Sequence, residues 1–296
     1  MIGGMNNDRE VLRFEEVSVR FDDTCALDRV SFQLHAGETR IVYGAAGAGK
    51  TTLLKVAIGL VKPDSGRVYL MGTEISRLSE NALFDLRAHV GVLFQEGGLF
   101  DSLNIEENVA YPLENQRVEN RRALRSVASD RAGNGVANGT ARPVAERVRQ
   151  ALHFVELDQT LAKFPSELSG GMRRRVGIAR AVVTEPALEL YDSPTAGLDP
   201  ITANTIIALI LKERDLRNTA AILVTHRFQD GHLMANFRYN PSSGKIERRP
   251  QGGDPAQAST HFFVMNEGRL VFEGTEREFE ASQDAYVQKF LRPTGG

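Results

Sequence analysis

The sequence predicts an α/β fold organised around a phosphate-binding loop. Three observations predict it. Gly44-Ala45-Ala46-Gly47-Ala48-Gly49-Lys50-Thr51 fits G-x-x-x-x-G-K-[ST] at every fixed position. Short apolar runs that read as core strands, Ile41–Tyr43, Val90–Phe94, Ala187–Asp192 and Ala220–Val224, are interleaved with helical stretches. Each of the last three ends at a polar residue, Gln95, Asp192 or Thr225-His226, on the edge where open α/β sheets bind ligands.

The chain begins with β-structure from Val11 to Leu34, since Arg13–Phe21 and Val30–Leu34 alternate apolar and polar residues. Phe21 ends its strand beside Asp22 and Asp23. It either packs in a core or stacks on a base, a contact that contributes about 1–3 kcal/mol. Ala36-Gly37-Glu38 turns the chain into the strand before the phosphate loop. There, Gly44, Gly47 and Gly49 let the backbone wrap a polyphosphate with its N–H groups pointing inward, where a Cβ would often clash. Thr51 to Ile58 reads as a helix, with Thr52 in its first turn, and its N-terminus adds partial positive charge. Lys50 is expected to reach the β- and γ-phosphates and the Thr51 hydroxyl to ligate Mg²⁺.

Lys62–Gly66 is a turn, Arg67–Met71 a strand and Leu78–Arg87 a helix. After Gln95, the glycine-jointed segment Glu96–Leu103 carries Leu99, Phe100 and Leu103. Apolar residues on such a loop form either a docking surface or a lid over local core. Residues 116–141 are charged, then rich in glycine and asparagine, and read as a polar insertion. A helix restarts near Pro143, with Val144, Val148, Ala151, Leu152 and Val155 as its apolar stripe. Ser169-Gly170-Gly171 then opens another helix as a second anion-binding nest. Its arginines, Arg173 to Arg175, read as one solvated or salt-bridged face.

Asp192, ending a strand downstream of a phosphate loop, is expected to hold Mg²⁺. The turn-rich loop Ser193–Pro200 contains Asp199, and Thr202–Arg214 is helical. Residues 236–260 form a second polar insertion with a hairpin around Tyr239–Ile246. Strands return at Phe262–Met265 and Arg269–Phe272. Thr275 and Glu278 form a capping box for a terminal helix whose buried side is Phe279, Tyr286, Val287, Phe290 and Leu291.

The 296 residues are 42% hydrophobic, enough for a full core. A net charge of −2 gives no electrostatic case for nucleic acid as the main partner. Cys25 is the only cysteine, so no internal disulfide forms, which suits a reducing compartment. The first residues lack a signal pattern. No apolar run approaches the ~20 residues that span a bilayer. Work at a membrane therefore requires another chain.

Taken together, these segments resemble the ATP-binding subunit of ABC transporters over residues 8–292, as a single domain apart from the two insertions. The elements occur in family order: Phe21, the phosphate loop, Gln95, the Leu168–Met172 signature, the Asp192 strand, the Asp199 loop and His226. Leu93 to Leu113, Met172 and the ending Val287-Gln288-Lys289-Phe290-Leu291 are similar to the Mla-type lipid-transport ATPases. The resemblance implies a RecA-like parallel-sheet core, an antiparallel β subdomain and an α-helical signature subdomain at about 96–180. It also implies ATP and Mg²⁺ as cofactors. Two such subunits, expected to be identical, would sandwich ATP between the phosphate loop of one and Ser169, Gly170 and Gly171 of the other. Gln95 would sense the γ-phosphate and Mg²⁺, His226 would contact the γ-phosphate and Asp199 would link the two sites. A membrane permease would dock at Leu99 and Phe100, with a lipid-binding accessory protein as a further partner, and the subunit would sit in the cytoplasm on the inner face of the membrane. Two positions depart from the family pattern. Ser193 stands where most members place a glutamate that polarises the attacking water, and Arg227 where aspartate is usual. Serine is a poor base near neutral pH. The resemblance therefore implies an ABC-type ATPase with weakened hydrolysis, or else a nucleotide-gated structural subunit.

Overall fold

The computed structural model describes residues 9–94, 97–115, 143–249 and 259–291. A six-stranded sheet runs in the order β12-β11-β3-β8-β7-β6. It comprises β3 (Thr39–Gly44), β6 (Val90–Leu93), β7 (Leu188–Asp192), β8 (Ala220–Val224), β11 (Thr260–Asn266) and β12 (Arg269–Gly274). All neighbours are parallel except β12, which returns antiparallel along β11. A four-stranded antiparallel sheet, β2-β1-β4-β5, holds β1 (Glu10–Phe21), β2 (Thr24–His35), β4 (Ser65–Leu70) and β5 (Thr73–Glu74).

The parallel strands are buried on both faces, so they read as continuous apolar runs and their side chains alternate between two cores. Ile41, Tyr43, Leu223, Phe262 and Val264 enter one core; Val42, Ile222, Val224, Phe263 and Met265 enter the other. The second core is closed by helix α1 (Lys50–Ala57) and the antiparallel sheet. The first is closed by α3 (Ile105–Glu114), α4 (Val144–Phe154), α5 (Gly170–Val182) and α6 (Pro200–Arg217). Helix α2 (Glu80–Arg87) packs Leu83 against the second core, and α7 (Phe228–Asn236) buries Met234 in the first.

Several expectations need correction. Val90–Phe94 lies at the sheet edge with Val90, Val92 and Phe94 only partly buried, because β6 has a single neighbour. Val144 starts α4 exposed, and the stripe proper begins at Val148. The terminal helix is two short helices, α8 (Glu276–Ala281) and α9 (Ala285–Gln288), because Asp284 caps a new start with bonds from the Tyr286 and Val287 N–H groups. Phe279 and Val287 are buried, while Tyr286, Phe290 and Leu291 are partly so.

The segment at 236–260 is less polar in its packing than its composition suggests. The expected hairpin forms from β9 (Phe237–Asn240) and β10 (Lys245–Arg248). Phe237, Tyr239 and Ile246 pack against the first core. Arg214, 1% exposed, donates to the Met234 and Phe237 carbonyls, and Asp215 accepts from the Tyr239 N–H at 2.7 Å. Residues 250–258, and the insertion at 116–141, lie outside the described residues.

Candidate nucleotide-binding site

The C-terminal ends of β3, β8 and β7 lie side by side and gather the predicted groups at one edge. The loop Gly44–Gly49 leaves β3 and enters α1, for which Gly49 is the N-cap. Gly49 has φ +98, and a Cβ there would come within 2.3 Å of the Ala26 carbonyl oxygen. A Cβ on Gly44 would lie 2.6 Å from the Met265 carbonyl oxygen. These positions need glycine because the loop lies against the backbone of β2 and of the end of β11 with no room for a side chain. Ala45, Ala46 and Gly47 are exposed, and Thr51 and Thr52 follow in the first turn of α1.

Lys50 is 7% exposed, and its Nζ donates to the carbonyls of Gly44 and Ala45 at 2.8 and 2.7 Å. The ammonium thus sits inside the loop's own curve. Burial lowers its pKa, and the nearby Asp192 carboxylate opposes that shift. Thr51 Oγ1 donates to Asp192 Oδ2 at 2.8 Å, bridging from α1 to β7 across the end of β8. A hydroxyl and a carboxylate side by side form the hard oxygen donor set that suits Mg²⁺, which takes its other ligands from phosphate and water. Bound there, Mg²⁺ would neutralise charge on the β- and γ-phosphates.

His226 follows β8, between the loop strand and the Asp192 strand, with its side chain exposed. Partial desolvation and the Lys50 charge lower its pKa, and Asp192 opposes them. The imidazole is therefore biased toward the neutral form that can donate one hydrogen bond and accept another. Ser193 adopts φ +52, and its Oγ donates to Asp192 Oδ1 at 3.2 Å. Gln95 falls outside the described residues. Phe21, 49% exposed, ends β1 at the tight connection to Thr24 of β2, as an aromatic open to a stacking partner.

Ser169, Gly170 and Gly171 occupy the start of α5. Ser169 Oγ accepts from the Met172 N–H at 3.2 Å. A Cβ on Gly171 would lie 2.7 Å from Thr202 Cγ2, so the signature turn packs on the start of α6. Asp199 caps that helix, accepting from the Ile201 and Thr202 N–H groups; hydrogen bonding from the Thr202 side chain, then from these N–H groups, lowers its pKa. Ser169 and Asp199 thus cap neighbouring helices.

The arginines after the signature do not form a solvated face. Arg174, 8% exposed, donates to the Ser193 and Pro194 carbonyls. Arg173 bonds the Leu168 carbonyl, Arg175 that of Val155 and Arg180 that of Gly97. Four guanidiniums thus fasten α5 to its surroundings. Leu99 packs against the first core, while Phe100 is 41% exposed, its ring tilted against that of Tyr111 with centroids 4.6 Å apart. A core-packed residue and an exposed aromatic are therefore neighbours on one loop. Asn108 holds that loop, accepting from the Phe100 N–H and donating to the Phe100, Leu103 and Asn104 carbonyls.

Asp230 is fully buried, with Oδ2 accepting from Thr195 and Thr225 at 2.6 Å each and Oδ1 3.2 Å from Arg227. It pins the loop after β7 to the residue before His226, and those partners occupy the carboxylate. Neither Asp230 nor Arg174 carries a sequence signal for its role, because both act through distant loops.

A phosphate loop entering a helix, with a carboxylate at the end of a nearby parallel strand, defines a P-loop nucleotide-binding protein. The ABC transporter family profile matches residues 27–196. The chain belongs to the ABC transporter family, whose cassettes bind ATP. Among relatives, it is 28% identical to the intermembrane phospholipid transport system ATP-binding protein MlaF of Haemophilus influenzae, over 96% of this chain and 91% of that one. It is 32% identical to TRIGALACTOSYLDIACYLGLYCEROL 3, chloroplastic, of Arabidopsis thaliana, over 97% and 75%. The methionine import ATP-binding protein MetN of Mesorhizobium japonicum is 36% identical over 75% of this chain, which spans 55% of that protein. Among solved structures, CbiO1 of Clostridium perfringens superposes with a TM-score of 0.69 at 25% identity, covering 96% of each chain. The MJ0796 cassette dimer bound to ADP and phosphate gives 0.68 at 24% identity, over 89% of this chain and 98% of that one. The shared fold is that of an ABC cassette.

Proposed function

We propose that this chain is the energy-coupling ATPase subunit of a lipid-type ABC transporter. One observation carries the choice of cargo class. The match to a phospholipid-transport ATPase runs along nearly the whole of both chains. The matches to methionine importers leave a third or more of those proteins uncovered.

In this reading the subunit is a cytoplasmic, peripheral protein on the inner face of the membrane, held by a permease. Phe21 stacks on the adenine. N–H groups from Gly47 to Thr52 and the Lys50 ammonium hold the phosphates, and Thr51 and Asp192, with Gln95, hold Mg²⁺. Ser169, Gly170 and Gly171 serve the nucleotide of a second, identical subunit, and Asp199 touches the partner's site. ATP joins the two subunits and its hydrolysis releases them.

A second reading is a nucleotide-gated structural subunit with little hydrolysis, and Ser193 favours it. Its hydroxyl proton is directed at Asp192, and Asp230 is sequestered from the phosphates by three partners. Steady-state turnover at saturating Mg-ATP, with the subunit captured on its permease in phospholipid, separates the readings. Turnover that phospholipid cargo stimulates supports the lipid-transport ATPase. ATP-driven dimerisation with negligible turnover supports the gated subunit. Retention of a permease that carries methionine and no lipid would overturn the cargo class.

A further inference from the structure

We propose that Tyr286, on the short C-terminal helix α9, is a positioning residue for the phosphate loop: it fixes the peptide plane that aims Lys50. The Tyr286 hydroxyl accepts from the Ala45 N–H at 3.2 Å and donates to the Met265 carbonyl at 3.2 Å. The Ala45 N–H belongs to the same peptide unit as the Gly44 carbonyl, and that carbonyl accepts from Lys50 Nζ at 2.8 Å. In a planar trans peptide the N–H and C=O point in opposite directions, so holding one aims the other. Tyr286 grips this plane from one side and Lys50 from the other.

The grip has a rigid base. Tyr286 packs edge-on against Phe290 at 5.3 Å, and Phe290 lies 6.1 Å from the Tyr43 ring on the strand that feeds the loop. Phe279 of α8 stacks on the same Tyr43 ring at 5.3 Å. The C-terminal segment is thus built on β3 and ends against the first peptide of the phosphate loop. Met265, the other partner of the hydroxyl, approaches Gly44 so closely that no side chain fits between them. Loop start, β11 end and C-terminal helix meet at one phenol. Gly47, further along the loop, is exposed and lies outside this contact.

This inference rests on the reading of Gly44–Thr51 as the phosphate site, and its test separates the two. ATP and inorganic tripolyphosphate binding are measured calorimetrically for the wild-type chain and for Tyr286→Phe, which removes one oxygen and keeps the ring. Loss of one hydrogen bond of this kind corresponds to about two- to tenfold in affinity. Tyr286→Phe is expected to weaken both ligands by the same factor in that range. The Ala45 amide proton should exchange faster, and the unfolding midpoint without ligand should fall less than in Tyr286→Leu. Tyr286→Leu, which also deletes the ring, distinguishes packing from positioning. If Tyr286→Phe binds tripolyphosphate as the wild type does, and weakening appears only in Tyr286→Leu alongside a lower unfolding midpoint, the positioning role is overturned. A wild-type chain that binds neither ATP nor tripolyphosphate removes the phosphate-site reading and this inference with it.

Discussion

Arg174 donates to the carbonyl oxygens of Ser193 and Pro194 at 2.9 and 2.8 Å. The helix that begins at the signature is thereby tied to the turn that follows Asp192 in the same chain. Hydrogen bonds from a charged donor contribute about 1.5–3 kcal/mol, and a buried carbonyl left unpaired costs about as much. Arg174→Met keeps most of the stem volume and loses both bonds. It is expected to lower the unfolding free energy by about 2–3 kcal/mol. Urea denaturation checks this, and a variant as stable as the wild type would show that the turn is held by other means.

Lys50→Ala is expected to abolish or severely weaken ATP binding. The side chain is buried inside the loop, where its charge is poorly screened. Titration with a fluorescent ATP analogue measures the loss. Wild-type affinity in the variant would remove the phosphate-loop argument.

The Glu189–Glu213 pair gives the fold a pH dependence. Burial pushes the Glu213 carboxyl from an ordinary value of 4.5 up to about 7, against the pull of Arg217, which pairs with it at 2.7 Å. Glu189 is raised by burial and by the Glu213 charge. Between these values the folded chain holds a proton that the unfolded chain has released, so unfolding free energy falls as pH rises through this window. The contribution is present at low pH and lost above pH 7. Glu213→Gln is expected to flatten the slope between pH 5 and 7.5, as read from urea midpoints. A slope identical to the wild type would show that Glu213 does not titrate there.

Leu99 and Phe100 should respond differently to charge. Phe100 is exposed beside Tyr111, and Phe100→Asp is expected to leave folding and ATP binding intact while weakening capture of the membrane partner. Leu99 packs on the first core, and Leu99→Asp is expected to destabilise the isolated subunit by about 2 kcal/mol or more. Equal behaviour of the two in thermal melts and pull-downs would contradict this division.

Much of the site was legible because local patterns impose it. Gly44–Thr51 needs glycine at fixed places, and Asp192 and His226 end apolar runs that can only be core strands. Arg174, Asp230 and Tyr286 were not legible. Ala45 and Tyr286 stand 241 residues apart, and only the closing of β11 against β3 brings them together. Their roles lie in backbone hydrogen bonds, which place no demand on neighbouring residues. The arginines of α5 misled for the same reason: a charged run normally marks a solvated face, and carbonyls on loops distant in sequence made it a set of clamps.

Ser193 tests how far hydrolysis depends on one carboxylate. Its N–H donates to the Val224 carbonyl at 3.0 Å, its carbonyl is held by Arg174, and its Oγ leans on Asp192. The backbone is thus fixed at what the reading proposed above takes as the general-base position, while the side chain supplies no charge at neutral pH. A positioned general base contributes about 10²–10⁴-fold in rate. Lys50, Thr51 and Asp192 should still bind ATP and allow the dimer to close, with slow turnover. His226, kept toward neutrality by desolvation and Lys50, can order the water and sustain residual hydrolysis. Glutamate introduces no new backbone strain, because Ser193 already holds φ +52 as a non-glycine residue. Ser193→Glu is therefore expected to raise steady-state phosphate release at saturating Mg-ATP by at least about tenfold, the low side of that range. Ordinary turnover in the wild type together with a flat response to Ser193→Glu would mean that another group is the base. Asp230, buried under Thr195, Thr225 and Arg227, is not positioned to be that group without breaking the loop it holds.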